Sequence, residues 1–120
     1  MPAPFLYADR VKDTTTTTGT GSLTVSGTAP AGFVSFNTAF STGLYFHYTI
    51  SSAGSEWEVG TGYLSAATTL VRDSVQASSN AGALVNFSAG TKDVFCSMPA
   101  HELNTILGSA YAANAGIFFY

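Results

Sequence analysis

The sequence predicts a small all-β protein: an antiparallel sandwich or barrel-like domain with extended N- and C-terminal arms. Three observations predict it. Between Glu56 and Ser97 apolar and polar residues alternate with the period of a pleated strand, Trp57, Val59 and Tyr63 sharing one parity and Leu70, Arg72 and Ser74 opposing Val71, Asp73 and Val75. Turn signals separate the runs, first Ser78-Ser79-Asn80-Ala81-Gly82 and then Ala89-Gly90-Thr91-Lys92. The composition agrees. Hydrophobic residues make up 46 % and charged residues only 9 %, against about 25 % charged in an average soluble domain. Serine, threonine and glycine fill most of the remainder, which suits strands and does not suit disorder.

Taken in order, the chain begins with an arm, Met1 to Phe5, in which Pro2 and Pro4 disfavour helix. Leu6 to Lys12 reads as a short strand. The run Thr14 to Thr18 reads either as a linker of low complexity or as a strand of β-branched residues with two polar faces, and the strand is favoured. Gly19-Thr20-Gly21 is a bend or bulge. Ser22 to Ser26 is a strand with Leu23 and Val25 inward, and Gly27 to Gly32 is a loop. Phe33, Phe36 and Phe40 stand three and four apart, which predicts a helical turn over Ser35 to Phe40 capped by Ser35. Leu44 to Ile50 is a strong strand, with Leu44, Phe46, Tyr48 and Ile50 on one face and Tyr45, His47 and Thr49 on the other. It forms a hairpin with the strand through Trp57. Ala83 to Phe87 and Val94 to Cys96 complete the sheet, and Met98-Pro99-Ala100 ends it, because proline cannot continue a central ladder. Phe46, Trp57, Val59, Val71, Val85 and Val94 are the expected core.

At 120 residues one domain is expected, able to bury about two thirds of its unfolded surface. The net charge is −3 with Arg10, Lys12, Arg72 and Lys92 the only cations, so no basic stripe exists and nucleic-acid binding is not expected. A single cysteine, Cys96, excludes an intrachain disulfide framework. No signal peptide is visible, and no apolar run reaches the roughly 18 residues of a membrane span. Synthesis in a cytoplasm, with no membrane partner, is therefore expected. So few charges leave little to keep a lone monomer soluble, which points to an assembled state.

No residue pattern predicts catalysis, a cofactor or a metal. Glu56 and Glu58 share a strand face, an arrangement open to acid–base work or metal binding, but no third ligand or base lies nearby. They read as a solvated strand edge flanking an inward Trp57. His47 and His101 lack metal-site spacing, and His47 reads as a polar-face strand residue. Cys96 reads as a buried small hydrophobe. The glycine pairs at 19–21 and 60–62 lack the Lys-Ser/Thr of a phosphate loop and read as turns or bulges. Arg72 cannot pair with its neighbour Asp73 across a strand, so it is expected to meet Glu58 or Asp9 in an ordinary cross-strand pair worth roughly 0.2–1 kcal/mol.

The pieces also form an ordered set: Asp9-Arg10-Val11, a threonine run through Thr18, Trp57-Glu58-Val59-Gly60, Thr68-Thr69-Leu70-Val71-Arg72, Ser78-Ser79-Asn80, and Val85-Asn86-Phe87 followed by Gly90-Thr91-Lys92 and Val94-Phe95. This set resembles a small module of structural proteins in tailed bacteriophages. The resemblance implies an architectural role in the virion, often in tail-fibre or receptor-binding assemblies, with no catalytic residues to carry over. It also implies a homo-oligomer, taken as a trimer, built with other virion proteins after synthesis in the host cytoplasm. Capsid decoration or a head fibre is the alternative within that class. A carbohydrate-binding module using Tyr45, Trp57 and Tyr63 toward a host-surface glycan is the alternative outside it.

Residues 1–100 are assigned to the β module with its N-terminal arm. His101 to Tyr120 departs from the pattern and is read as an apolar C-terminal arm. Leu107, Tyr111, Ile117, Phe118, Phe119 and Tyr120 follow the closing proline, and leaving such residues in water exposes a patch that soluble monomers avoid. They are expected to dock on a neighbouring subunit, the competing reading being a tail that folds back on its own core.

Overall fold

The computed structural model describes residues 6–96. Both terminal arms, including the six expected interface residues from Leu107 to Tyr120, lie outside the described residues. In chain order the elements are β1 (Lys12–Thr15), β2 (Leu23–Thr24), α1 (Phe36–Ala39), β3 (Tyr45–Ser52), β4 (Trp57–Ala66), β5 (Thr69–Ser78) and β6 (Lys92–Phe95). The strands form one antiparallel sheet in the order β1-β6-β3-β4-β5-β2. The sheet curls until its outer strands meet. Thr15 bridges Val25, the Ser26 N–H donates to the Thr14 carbonyl at 2.9 Å, and the Thr15 hydroxyl donates to the Thr24 carbonyl at 2.8 Å. The result is nearly a closed barrel, which removes most free edges.

Local chemistry explains the short elements. Ser35 caps α1, its hydroxyl accepting from the Thr38 N–H at 3.2 Å. Phe36 and Phe40 then stack with Phe46 to plug one end of the barrel, with ring centroids 4.7–6.2 Å apart. The threonine run is strand only as far as Thr15; beyond it, Thr17 uses its hydroxyl to accept from the Thr24 N–H. Leu6 and Val11 make single bridges, to Phe46 and Val34, where a strand over Leu6 to Lys12 was expected. Between them Arg10 adopts a left-handed φ of 60° and lays its guanidinium 4.1 Å over the Phe33 ring. Ala83 to Phe87 is not a strand either. It makes one bridge, from Phe87 to Gly19, and the Val85 N–H and carbonyl turn to the Glu58 and Arg72 side chains.

The core holds Phe46, Tyr48, Ile50, Leu64, Leu70 and Val94, all fully buried, with Val85 and Phe87 beside them. Phe46, Val85 and Val94 were expected there. Trp57, Val59 and Val71 were not placed correctly: Trp57 is 41 % exposed, and Val59 and Val71 are only half-buried. The register of β4 gives the reason. Glu58 pairs with Ile50, Gly60 with Tyr48 and Gly62 with Phe46, so the inward row of β4 is Glu58, Gly60, Gly62 and Leu64. The apolar parity of Trp57, Val59 and Tyr63 faces outward.

The glycine pair of β4 is a matter of space. The Tyr48 side chain lies across it. A Cβ at Gly60 would stand 2.7 Å from the Tyr48 Oη and against the Ser74 carbonyl, and one at Gly62 would meet the Val71 carbonyl. Register shifts fall at both glycines, between Val59 and Gly60 and between Thr61 and Gly62, so they are bulges. Gly60→Ala is expected to destabilise the fold by about 1–3 kcal/mol, as overpacking of a filled core does. A midpoint shift with unchanged m-value in urea denaturation checks this.

Candidate functional site

The chain carries few charges, yet Asp13, Glu58, Arg72 and Lys92 are all buried. Glu58 and Arg72 point inward from neighbouring strands, β4 and β5, and form a two-pronged ion pair. Arg72 Nε donates to Glu58 Oε2 at 2.8 Å, and Nη2 donates to Oε1. Tyr48 Oη donates to Glu58 Oε2 at 2.7 Å, and the Val85 N–H donates to Oε1 at 2.9 Å. The carboxylate thus accepts four bonds, its full capacity. The guanidinium spends its remaining donors on the carbonyls of Val85 at 2.8 Å and of Gly19 and Gly21 at 3.2 Å. All five of its N–H groups are engaged. Glu58 and Asp9 were the two partners expected for Arg72, in an ordinary cross-strand pair, and Glu58 is the one it meets. Burial changes its character, because each charge now depends on the other.

Around the pair lie the other pieces of the ordered set. Lys92 Nζ donates to the carbonyls of Thr17 at 2.9 Å and Gly90 at 2.8 Å. The Phe87 ring receives both cations, Arg72 at 5.2 Å and Lys92 at 6.0 Å. Ser78 pins the turn after β5 by accepting from the N–H groups of Asn80 and Gly82, both at 3.1 Å. Asp13 accepts from the Thr14 and Gly27 N–H groups at 2.7 and 2.9 Å and from the Ser26 hydroxyl. This constellation is a polar clamp on the barrel end.

Glu56 does not share the clamp. It accepts from the Ser88 N–H and hydroxyl, both at 2.9 Å, and these bonds hold its carboxyl below the ordinary range. This contact separates two open grooves. One, of about 380 Å³, lies between Ser52–Glu56 and Ser88–Lys92; the other, of about 400 Å³, is lined by Ser55, Glu56, Ser79, Asn80, Val85 and Asn86. Among the described residues no three His, Cys, Asp or Glu side chains converge as metal ligands. Cys96 is half-buried against the core, and burial raises its thiol pKa. His47 is fully buried on the outer face beneath the ring of Tyr7, stacked at 5.0 Å.

The three aromatics of the carbohydrate alternative are not brought together. Tyr45 and Tyr63 are cross-strand neighbours with ring centroids 5.0 Å apart. Trp57 lies six residues along β4 from Tyr63, about 20 Å at the rise of a strand, farther than one sugar ring spans. The outer face alternates apolar and polar rows. Phe95, Thr49 and Val59 form one and Tyr45, Tyr63 and Val71 another, with the polar row His47, Thr61 and Ser74 between them and Ser51 and Asp93 beside Trp57. Tyr48, the Val85 backbone and the Lys92 ammonium were missed as clamp members. The signal for Lys92 was its isolation: a lone lysine in a turn otherwise free of cations. Among the described residues no helix is long and apolar enough to cross a membrane. No family profile matches the chain, and no curated protein or solved structure matches it significantly.

Two outcomes follow from the clamp. Arg72→Met is expected to cost about 3–5 kcal/mol by stranding the Glu58 carboxylate, while Glu58→Gln/Arg72→Met is expected to cost less than the two single changes summed. A double-mutant cycle by denaturation measures this. Tyr48 gives the pH signature. Burial first, and then the adjacent Glu58 carboxylate, raise its hydroxyl pKa. The unfolded chain therefore releases that proton first, and stability falls as pH rises above about 10. Tyr48→Phe is expected to flatten that alkaline fall while losing about 1 kcal/mol at neutral pH. Melting curves between neutral pH and pH about 11 check the slope.

Proposed function

We propose that this chain is a non-enzymatic structural protein of a tailed-phage virion, a tail-fibre, tail-tip or adaptor component that works as a homo-oligomer. One observation carries the reading. The pieces that resemble the phage module converge on the polar clamp: Glu58, Arg72, Val85, Phe87 and Lys92, with the threonine run supplying the Thr17 carbonyl. The ordered set is therefore a recipe for folding the barrel and not a reaction centre, as an architectural module requires. The exposed Trp57, beside the half-buried Val59, Tyr63 and Val71 on the outer face, supports assembly. The expected trimer, and the docking of the C-terminal arm on a neighbour, belong to the same proposal.

Purification of the phage particles that encode this chain tests it. The chain is expected in the particle at a fixed ratio to the tail proteins, with antibody label at the tail. Recovery only in the free fraction of the lysate refutes the structural reading, and label on the head moves the protein to capsid decoration.

A further inference from the structure

We propose that the connection between β5 and β6, residues 79–91, is a strap over one end of the barrel and that Glu56 is its latch: when Glu56 lets go of Ser88, the strap lifts from the Glu58–Arg72 pair while the sheet stays folded.

The strap is held at few points. Within it only Val85 and Phe87 are buried, and every other residue is exposed. Several bonds near its start are its own: the Ser78 hydroxyl donates to the Ala83 carbonyl, and the Asn80 amide donates to the Leu84 carbonyl at 2.9 Å. Its ties to the barrel are the pairing of Ser79 with Trp57 at its root, Val85 in the clamp, the Phe87 bridge to Gly19, and the Lys92 ammonium on the Gly90 carbonyl. Among the described residues, Glu56 is the only member of the β3-β4 turn, residues 53–56, that bonds to it. Open space lies on both sides of that contact, about 380 Å³ on one and about 400 Å³ on the other. The contact is thus an isolated post. A segment tied by a few exposed bonds opens ahead of the sheet beneath it.

The post is fixed and the strap is jointed. The Glu56 carbonyl accepts from the Ser52 N–H and hydroxyl, both at 3.0 Å, so its backbone is anchored to β3 while its carboxylate reaches across to Ser88. Toward either end of the strap the backbone is left-handed at small residues, with φ of 54° and 85° at Ala81 and Gly82 and of 120° at Gly90. Small residues between elements are where hinges turn. Lifting uncovers Phe87, and with it the two cations that stand over its ring, Arg72 and Lys92.

The Ser88 N–H first, and then its hydroxyl, hold the Glu56 carboxyl below the ordinary range; the Lys92 ammonium adds to this, against a contrary effect of burial. Lys92 is the charged group that acts on Glu56, and Glu58 and Arg72 beneath the strap neutralise each other. Once the strap lifts, the carboxyl loses the Ser88 donors and takes a proton near its ordinary value, about 4.3. The latch is therefore at full strength above that value and is lost as the pH falls through the lower, closed-state value.

Amide hydrogen exchange in the full chain tests this. The Val85 N–H, which donates to Glu58 Oε1, and the Phe87 N–H, which donates to the Gly19 carbonyl at 3.1 Å, report the strap. The ladder amides of β3 and β4 report the sheet. Glu56→Ala is expected to speed exchange at Val85 and Phe87 about fivefold, with the ladder amides unchanged. Relative to the intrinsic rate, strap exchange in the unaltered chain is expected to rise between about pH 6 and pH 3, and Glu56→Gln is expected to remove that rise. Unchanged exchange at Val85 and Phe87 in Glu56→Ala overturns the proposal, because the strap is then held without Glu56. Faster exchange in strap and ladder alike also overturns it, since the contact then serves the whole barrel. An acid rise that persists in Glu56→Gln assigns the response to another carboxyl and removes the latch.

Discussion

The buried pair of Glu58 and Arg72 is the constraint on which the rest of the barrel depends. Two charges withdrawn from water are tolerable only where every donor and acceptor is used. Here the four acceptor sites of the carboxylate and the five donors of the guanidinium are all taken. The partners come from distant parts of the chain: Gly19 and Gly21 before β2, Tyr48 in β3, and Val85 after β5. The pair therefore sets the position of two irregular segments that no ladder holds. It acts as a crosslink between strands and loops, with the geometry of the fork fixing the distances. Apolar residues of equal volume would fill the same space without specifying where Gly19 or Val85 must sit.

Tyr48 ties this constraint to the sheet. To reach Glu58 its ring must cross β4, and it crosses where β4 has glycine on its inner row. The bulges at Gly60 and Gly62 let the strand turn sharply enough to wrap toward β5 and close the barrel. A hydroxyl, a carboxylate, a guanidinium and two absent side chains thus form one unit. Changing any of them alters the others, which makes the sequence from Trp57 to Gly62 read as a fixed string.

Much of this was legible in the sequence, though not its sense of inside and outside. The Ser35 cap, the β3-β4 hairpin and the turn at Ser78 to Gly82 all follow from local patterns, and the structure contains each; for Arg72 the sequence narrowed the partner to Glu58 or Asp9, and it is Glu58. The inversion of Trp57 does not follow. A period of two divides a strand into faces without saying which is the core, and the apolar parity is the usual choice. That choice fails here because β4 gives its inner row to one carboxylate and two glycines, with Tyr48 from the next strand supplying the bulk. Val85 to Phe87 was misread for a related reason. Its alternation is that of a strand, but its backbone serves side chains of the clamp and not a neighbouring ladder. Nothing local to a segment reveals that its hydrogen bonds go to an arginine thirteen residues earlier.

The placement of charge has a further consequence for how such a barrel meets its surroundings. A chain with four cations commits two of them, Arg72 and Lys92, to its interior, and two of its carboxylates, Asp13 and Glu58, go with them. Lys12 and Asp93 partly neutralise each other at 3.7 Å on the outside. The exterior is therefore left with scattered single charges. Long-range steering, which raises association rates where opposed fields meet, has little to act on. Association of such surfaces depends on short-range apolar contact and shape, which salt screens weakly. The same trait that fixes the inside of the barrel thus leaves few charges on its outside. The two parities of β4 thus do different work: the inner one carries the charge that organises the interior, and the aromatic one lies on the outer face.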